Sequence, residues 1–299
     1  MPGKRWIAAP LETARIAERL RRVLAPPARA YEPWIVEGHV VGWIIPERVQ
    51  RLCEWRDIFR RSAGGVELAP TLATVASRTA ALEDIARALS AEGALTRWRN
   101  ERYAVAADGK TPLFELERAA ARYFGIHTLA AHANGLVGEH ARWRMWVARR
   151  SPTKPIDPGL LDNLVGGGVA AGCDARATLV REAFEEAGIA GDVAAQAQSA
   201  GAIGICRDQP DGLQRETIHV YDLWLPEPFV PLNQDGEAVE HRLCMPDDIL
   251  GILESDDITA DASLVIVDFL LRNGHISTVD PSYAALEALR HPAVSITQP

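Results

Sequence analysis

The segment 166–189 constrains the fold of this chain most, because it joins a glycine-rich loop to an acidic helix. Three glycines begin at Gly166, and the helical stretch begins near Asp174, a residue type that caps helix N-termini. Gly188 ends the stretch, as glycine commonly does at helix C-termini. The segment therefore predicts a tight turn that leads directly into a helix.

Two sets of side chains follow the helical repeat in this segment. Glu182, Glu185 and Glu186 lie at i, i+3 and i+4, so they share one side of the helix. Carboxylates this close repel one another. A solvated helix tolerates the repulsion, whereas a site for a divalent cation requires carboxylates that are clustered in this way. The second set is apolar and is expected to face a core: Ala177, Val180, Phe184 and Ala187.

The glycines exclude two common phosphate-binding loops. No Lys-Ser or Lys-Thr pair follows them, as a Walker loop requires, and position 171 lacks the last glycine of a dinucleotide-binding motif. The functional interpretation is that the carboxylates hold Mg²⁺ or Mn²⁺ through their oxygens and that the metal binds substrate phosphates. A surface helix with a run of glutamates is the structural alternative.

Composition narrows the class of protein. Forty acidic and 32 basic residues give a net charge of −8, which disfavours a nucleic-acid partner. The four cysteines form no C-x-x-C pair, so neither a structural zinc nor a disulfide framework is expected, and a reducing, cytoplasmic compartment is. No apolar run reaches the roughly 18 residues of a membrane span.

The remaining sequence predicts alternating strands and helices. In the N-terminal third we expect a hairpin at 31–45, a β-like stretch at 98–105, a turn at 108–110, and helices at 11–25, 47–61, 74–93 and 113–123. Further on we expect strands at 143–148, 200–206, 217–225 and 241–245, and helices at 247–253, 260–272 and 283–289. The N-terminal third shows no catalytic constellation, and its charged residues are read as solvated helix faces or as a source of substrate specificity.

The acidic segment resembles the signature of the Nudix hydrolases, G-x5-E-x7-R-E-U-x-E-E-x-G-U, in which U is apolar. One position departs from it, because Cys173 stands where the signature has its first glutamate. The matching positions are Gly167, Arg181, Glu182, Ala183, Glu185, Glu186, Gly188 and Ile189.

This resemblance implies a fold and a division of the chain. The fold is α+β, a Nudix α/β/α sandwich with a mixed sheet, a smaller N-terminal α+β domain and C-terminal helices. We expect an accessory domain at 1–120, the Nudix domain at 121–256 and a helical extension at 257–299.

The resemblance also implies the reaction centre. Glu182, Glu185 and Glu186 become metal ligands, with Glu182 and Glu186 also counted as catalytic. Arg181 orients the site by pairing with a neighbouring carboxylate. A later acid acts as ligand or base; Glu237 is the first candidate and Glu240 the second, and both have the alternative of being turn or strand-edge acids.

Further segments resemble Nudix proteins related to thiamine pyrophosphokinase fusions, which carry an extra N-terminal domain. They include residues 124–126, 132–135, 149–154 and 235–237. Within them, Arg149, Arg150, Lys154, His132 and Asn134 are substrate-binding candidates, with a solvated basic loop and a structural histidine as alternatives. Trp143, Trp146, Phe124 or an N-terminal tryptophan could form an aromatic platform.

The function implied is metal-dependent hydrolysis of a small organic diphosphate, such as thiamine diphosphate or its damaged analogues, to the monophosphate. Hydrolysis of an ADP-ribose-like nucleoside diphosphate derivative is one alternative. A non-catalytic Nudix domain that binds a regulatory ligand is another, and Cys173 favours it. An isomerase of isopentenyl diphosphate ranks low, since residues 132–135 lack the required cysteine.

Overall fold

Two small sheets and two helices follow the first helix of the chain. The computed structural model describes residues 6–96, 98–107, 109, 111–139, 142–154, 156–292 and 296. The early elements are α1 (Pro10–Val23), β1 (Glu32–Val36), β2 (His39–Ile44), α2 (Pro46–Leu52), β3 (Phe59–Ser62), β4 (Gly65–Leu68), α3 (Val75–Ala91), β5 (Arg102–Ala106), β6 (Pro112–Glu117) and a 3-10 turn, Arg118–Ala120. Four strands pair in the order β2-β1-β4-β3, and β5 pairs with β6.

Residues 31–126, called the N-terminal unit below, have a core of their own. Trp34 lies at its centre, with ring centroids 5.1 Å from Phe114 and 4.8 Å from Phe124. These rings are fully buried together with apolar side chains of α2, α3 and both sheets. The predicted hairpin at 31–45 is confirmed, and Glu37 and Gly38 at its tip both have positive φ, as a tight two-residue turn requires.

One predicted helix of this unit, 47–61, is correct only in its first half, and another, 113–123, is wrong. Helix α2 ends at Leu52, and Phe59 instead pairs with Leu68 in the β3–β4 hairpin, where it is buried against Trp34. Residues 112–117 form strand β6 rather than a helix, because Phe114 and Leu116 alternate with exposed or half-buried neighbours. The predicted turn at 108–110 has its first and third residues outside the described part of the chain.

A seven-stranded mixed sheet organises the rest of the chain. Its strands are β7 (His127–Glu139), β8 (Arg142–Arg150), β9 (Leu161–Asn163), β10 (Val165–Gly168), β11 (Gln198–Gln209), β12 (Gly212–Leu225) and β13 (Ala238–Cys244). The main order is β11-β12-β7-β8-β13, with β10 beside β7 and β9 beside β8. Only the β7–β12 pair is parallel among the described pairings of this sheet.

Helices cover both faces of this sheet. The helices are α4 (Ala175–Ala187), α5 (Gly191–Ala194), α6 (Pro246–Glu254), α7 (Ala260–Arg272) and α8 (Tyr283–Leu289). Along β7, Ala131 and Ala133 pack with Leu179 of α4, whereas Ala130 packs with Leu264 of α7. This alternation follows the period of two in a strand. The predicted α+β class, with a mixed sheet between helices, is confirmed.

Helix α1 packs with the C-terminal helices rather than with the N-terminal unit. Ile16 and Leu20 share a buried cluster with Ile249 of α6 and Ile266 of α7. The three-part domain division stays a prediction, although the packing joins the first part of the chain to the last. Among the described helices, none is both long and apolar enough to cross a membrane.

Gly125, near the end of the N-terminal unit, packs against the backbone of Trp43, and its replacement tests this contact. Its φ is +57°, and an added Cβ would collide with the carbonyl of Trp43, whose own N–H donates to the Phe124 carbonyl over 3.0 Å. We expect Gly125→Ala to lower the free energy of unfolding by about 2 kcal/mol or more. Chemical denaturation monitored by tryptophan fluorescence measures it.

The matched control is a glycine with no such constraint. Gly251 is exposed within α6, and an added Cβ there meets no atom within 4 Å. Gly251→Ala should raise the free energy of unfolding by about 0.5–1 kcal/mol through helix propensity. Equal effects of the two substitutions would contradict the close contact described at Gly125.

Candidate active site

A cavity of about 410 Å³ lies where the glycine strand β10, helix α4, strands β7 and β12 and the N-terminal unit meet. Its wall carries both signs of charge. The acidic side chains that line it are Glu101, Asp157, Asp162, Glu182, Glu185, Asp211, Glu216, Asp235, Glu237 and Asp261. The cationic ones are Arg99, Arg118, Arg122, Arg150, Lys154, Arg181 and Arg215.

The three glycines of β10 are required by what packs against them. An added Cβ at Gly167 would overlap the carboxylate of Glu182, and one at Gly168 would overlap the Tyr103 hydroxyl. The N–H of Gly166 donates to the Glu186 carboxylate over 2.8 Å. The strand therefore brings bare backbone against two acidic side chains of the next helix.

Helix α4 begins and ends as predicted. The Asp174 side chain accepts a hydrogen bond of 2.7 Å from the N–H of Ala177, and Gly188 follows in the left-handed conformation. These caps satisfy backbone groups that a helix leaves unpaired at its ends. They also fix where the helix starts relative to the glycine strand.

The predicted buried face of α4 is correct only in part, since Ala187 is buried and Val180 packs against the same cluster. Phe184 is 56% exposed and Ala177 is exposed, although both were expected to face the core. Glu182 and Glu186 are buried instead, at 8% and 9% exposure, beside Leu179 and other buried residues of the helix. The helix is rotated so that two of its three glutamates point inward, while Glu185 stays half-buried.

Burial changes the protonation of these acids. It raises the pKa of Glu186 to about 8, against the opposing effects of Lys154, whose Nζ lies 3.6 Å away, and of the Gly166 N–H. Burial also raises the pKa of Glu182, against the guanidinium of Arg181 at 2.7 Å. Both carboxyl groups thus favour the protonated form more than a solvated glutamate does, because their protein neighbours offset only part of the cost of burying the charge.

Glu237 joins the site from the loop before β13. Its carboxylate pairs with Lys154, and its carbonyl accepts from the N–H of Ser151 over 2.8 Å, which ties the two loops together. Burial alone would raise its pKa, but the hydrogen bond and charge of Lys154 hold the pKa below the ordinary value. Glu240, the second candidate, pairs with Arg242 at 2.6 Å and does not line the cavity.

The structure separates the predicted substrate-binding residues. Lys154, Arg150 and His132 line the cavity. The Arg150 guanidinium pairs with Asp162 at 2.6 Å and donates to backbone carbonyls of its own loop. His132 Nδ1 lies 2.9 Å from the Asn163 side chain. Of these three residues, Lys154 is the one that contacts an α4 acid, with its Nζ 3.6 Å from Glu186.

Two other predicted residues do not line the cavity. Arg149 forms a two-pronged ion pair with Asp257, at 2.9 and 2.7 Å, and donates to the Gly159 carbonyl. Asn134 is fully buried, where it donates to Asp222 over 3.0 Å and accepts from Asn163. Both side chains support the sheet and loop that hold the site.

The expected aromatic platform is wrong. Trp143, Trp146 and Phe124 are all buried in hydrophobic clusters and do not line the cavity. Among the described lining residues, Tyr103 is the one phenylalanine, tyrosine or tryptophan. Cys173, which replaces the first signature glutamate, is exposed and does not line the cavity either.

Several lining residues were not predicted from the sequence. Arg99, Glu101, Tyr103 and Arg118 belong to the N-terminal unit, and no motif marks them. Strand β12 adds others, including Glu216, which accepts from the Thr128 hydroxyl over 3.0 Å. The β12 residues reach the glycine strand because β12 and the glycine strand both pair with β7. Strands β7 and β12 lie far apart in the sequence, so no short motif reveals this contact.

The donor chemistry of the site suits a hard divalent cation. Glu182, Glu185 and Glu237 line the cavity with carboxylate oxygens, which Mg²⁺ and Mn²⁺ prefer, and Glu186 accepts from the N–H of the lining residue Gly166. Across the described residues, no three acidic, histidine or cysteine side chains already converge on one point. Joint coordination of one ion by three glutamates therefore requires their side chains to rearrange away from Lys154 and Arg181.

Comparisons with known proteins divide the chain into two matched parts. Residues 14–128 match a family model described as a domain of unknown function, DUF4743. Residues 127–265 match the NUDIX domain model. The boundary between them falls at the start of β7.

Two curated plant proteins are similar over most of the chain. The Arabidopsis thaliana protein named Nudix hydrolase 20, chloroplastic, is 36% identical over 265 residues, which cover 85% of this chain and 71% of the relative. Nudix hydrolase 24, chloroplastic, of the same plant is 36% identical over 258 residues, with the same coverage. A crystal structure of DR0079 from Deinococcus radiodurans is 21% identical, with a TM-score of 0.43, over 56% of this chain and 98% of that chain.

The raised pKa of Glu186 predicts a pH-dependent effect of Glu186→Gln on the metal-free protein. Between about pH 4.5 and 8, the unfolded state ionises this acid while the folded state keeps it protonated, so its contribution to stability falls as pH rises. Glutamine does not titrate. Relative to wild type, the variant should therefore gain more than about 1 kcal/mol of unfolding free energy between pH 5.5 and pH 8.5.

Denaturation in the presence of EDTA at the two pH values measures this difference. Glu185→Gln is the matched control, since Glu185 lies on the same helix but is half-buried. A pH-independent difference between Glu186→Gln and wild type would contradict the described burial of Glu186.

Divalent cations should stabilise the folded protein through the same acids. At a Mn²⁺ concentration of 100 Kd, we expect about 2.7 kcal/mol of added stability in wild type. Glu182→Gln should lose most of that gain, because it removes a charged oxygen ligand. Exposed Glu18, on helix α1, provides the control: Glu18→Gln should respond to Mn²⁺ as wild type does. Thermal unfolding with and without Mn²⁺ reads out both.

Proposed function

Because the chain belongs to the Nudix hydrolase family and is thus a hydrolase of pyrophosphate bonds, we propose that its substrate is a small organic diphosphate. The reaction cleaves the phosphoanhydride bond with water and releases the monophosphate and inorganic phosphate. The observation that carries this proposal is the meeting of the α4 carboxylates Glu182 and Glu185 with cationic side chains in one cavity of about 410 Å³.

The size and charge of the cavity favour a small substrate. Ligand cavities in proteins span roughly 300–1,000 Å³, so this one is near the lower end. Its lining mixes cations that attract phosphate oxygens with carboxylates that need a cation between them and the phosphates. A diphosphate with one small organic group matches this cavity better than a dinucleotide does.

The residues divide the work in this proposal. Glu182, Glu185 and Glu186 hold the divalent cation, Mg²⁺ or Mn²⁺, which when bound neutralises phosphate charge and acidifies water. Nudix hydrolases generally use such ions. Arg181 orients Glu182 and Glu185 through ion pairs of 2.7 and 2.9 Å. Glu237, whose low pKa keeps it ionised at neutral pH, accepts a proton from the attacking water.

Lys154, Arg150 and His132 bind the substrate in this proposal. Lys154 provides a mobile point charge for a phosphate oxygen, and it exchanges its contact with Glu237 for that oxygen when substrate enters. Arg150 braces the loop that carries Lys154 and presents its guanidinium edge to the cavity. Arg149 and Asn134 contribute indirectly, through the loop and strand that they hold.

We further propose that the organic group is that of thiamine diphosphate or a damaged analogue. The support is the resemblance of segments 124–126, 132–135, 149–154 and 235–237 to the Nudix proteins related to thiamine pyrophosphokinase fusions. An ADP-ribose-like substrate and a non-catalytic regulatory role are the competing outcomes of the test below. Cytoplasmic localisation is proposed from the four free cysteines, and fractionation of the source cells with detection of the protein tests it.

Turnover of a diphosphate panel tests the function. We expect wild type with Mg²⁺ or Mn²⁺ to release monophosphate from thiamine diphosphate and its oxidised analogues, and Glu186→Gln to lose about 100-fold or more in kcat, as expected when a charge-stabilising group is lost. Glu18→Gln should match wild type. Phosphate release and chromatography of the products measure the rates.

The outcomes separate the alternatives. A preference of more than about tenfold in kcat/KM for ADP-ribose over every thiamine diphosphate would overturn the substrate assignment but leave the hydrolase intact. Ligand binding without turnover of any diphosphate would instead identify a regulatory domain. Full activity of Glu186→Gln would remove the α4 carboxylates from the mechanism.

A further inference from the structure

Arg118 lines the cavity but comes from the N-terminal unit, outside the residues that match the NUDIX model. We propose that Arg118 is a phosphate-binding residue of the active site, held in position by Glu101 and Tyr103. This inference rests on the proposed diphosphate substrate. It gives the domain of unknown function a role, which is to complete the binding site for the substrate phosphates.

The N-terminal unit is in direct contact with the glycine strand and the segment after it. The N–H of Ala171 donates to the carbonyl of Arg102 over 2.8 Å. The Tyr103 hydroxyl sits where a side chain at Gly168 would be. This contact leaves no space for even a methyl group at Gly168. The packing of Tyr103 therefore holds strand β5 in position beside the glycine strand.

The Arg118 guanidinium is held on one side only. Its Nη1 lies 2.5 Å from Glu101 Oε2, and its Cζ lies 5.6 Å from the centre of the Tyr103 ring. Among the described residues, the bond to Glu101 is the one side-chain hydrogen bond that the structure gives Arg118. A guanidinium has five N–H donors in a planar fork, so Nε and Nη2 stay available for a second, bidentate partner.

Arg118 also lies close to the acids of the reaction centre. Glu101, its partner, is 3.9 Å from the Arg181 guanidinium, which contacts Glu182 directly. The charge of Arg118 reaches the acids too: it counteracts burial in setting the pKa of Glu182 and helps Lys154 to lower the pKa of Glu237. A phosphate bound beside those acids is therefore within range of Arg118.

Two properties suit Arg118 to the binding of a ligand phosphate. The side chain is one-third exposed and lines the cavity, so a ligand can reach it. Burial alone would lower its pKa, but Tyr103 and the hydrogen bond and charge of Glu101 raise the pKa above its ordinary value, so Arg118 stays cationic at every working pH. A fixed, permanently charged fork is what bidentate phosphate recognition uses, and a lysine cannot reproduce its geometry.

Binding of methylenediphosphonate, which is not hydrolysed, tests the proposal by isothermal titration calorimetry in Mg²⁺. We expect Arg118→Met to weaken binding by about tenfold or more, and Arg118→Lys by at least about threefold, because a charge-assisted bidentate contact is lost. The matched control is Arg51→Met. Arg51 also pairs with glutamates, Glu54 at 2.9 Å and Glu92, and stacks 3.7 Å from the Trp55 ring, but lies away from the cavity.

Wild-type affinity in Arg118→Met would overturn the proposal, as would a loss of equal size in Arg51→Met, which would indicate only a general disturbance of the N-terminal unit. If Arg118→Met does not fold, wild-type affinity in Arg118→Lys overturns it. Failure of wild type to bind the diphosphonate would also overturn the proposal. Failure of the proposed function is distinct: wild type then binds the diphosphonate but turns over no diphosphate in the panel.

Discussion

The burial of two carboxylates, Glu182 and Glu186, is the constraint on which the rest of the site depends. A buried charge is costly unless a partner neutralises it. The protein supplies only part of that compensation, through the Gly166 N–H, Lys154 and Arg181. The triple glycine, the inward rotation of α4 and the exposure of Phe184 all follow from placing these acids where a cation can complete the balance.

The cavity is a joint product of distant parts of the chain. Helix α4 supplies acids, the loop after β8 supplies Lys154 and Arg150, and the N-terminal unit supplies a wall with its own arginines. Lys154 pairs with Glu237, and Arg181 reaches Glu101, so cations of one segment neutralise acids of another. Electrostatics therefore couples the elements around the site, in addition to the apolar packing that holds each of them.

Local chemistry let the sequence predict much of the fold. The caps Asp174 and Gly188, the hairpin tip at Glu37 and the helix at Ala260–Arg272 are local features, and all were placed correctly. The prediction of one helix at 47–61 failed in its second half because the same apolar spacing also suits a short helix, turns and a strand. Phe59 contacts Leu68 and Trp34 through tertiary packing. Local patterns cannot decide between such arrangements.

The candidate site, too, was predicted from the sequence only where local patterns mark its residues. The acids of α4 were found by their spacing, and Glu237 by its place in a later loop. The apolar period of α4 was right for Ala187 and Val180 and wrong for Ala177 and Phe184, because Glu182 and Glu186 are buried on the helix, as expected where function overrides packing. Arg118 and Tyr103 carry no motif, since their meaning arises only when β5 lies over Gly168.

The position of α1 makes the N-terminal unit an insertion into the C-terminal core. Helix α1 is anchored to the end of the chain, with Thr13 bonded to Asp280 and Arg19 to the Ile258 carbonyl. The chain thus enters the C-terminal core, leaves it at Leu24 and returns at β7, so residues 31–126 form an insertion rather than a prefix. Such an insertion can be exchanged between its two attachment points while the sequence of the acidic helix stays unchanged. Evolution could thereby alter substrate preference by replacing one wall of the cavity while the hydrolytic centre stays intact.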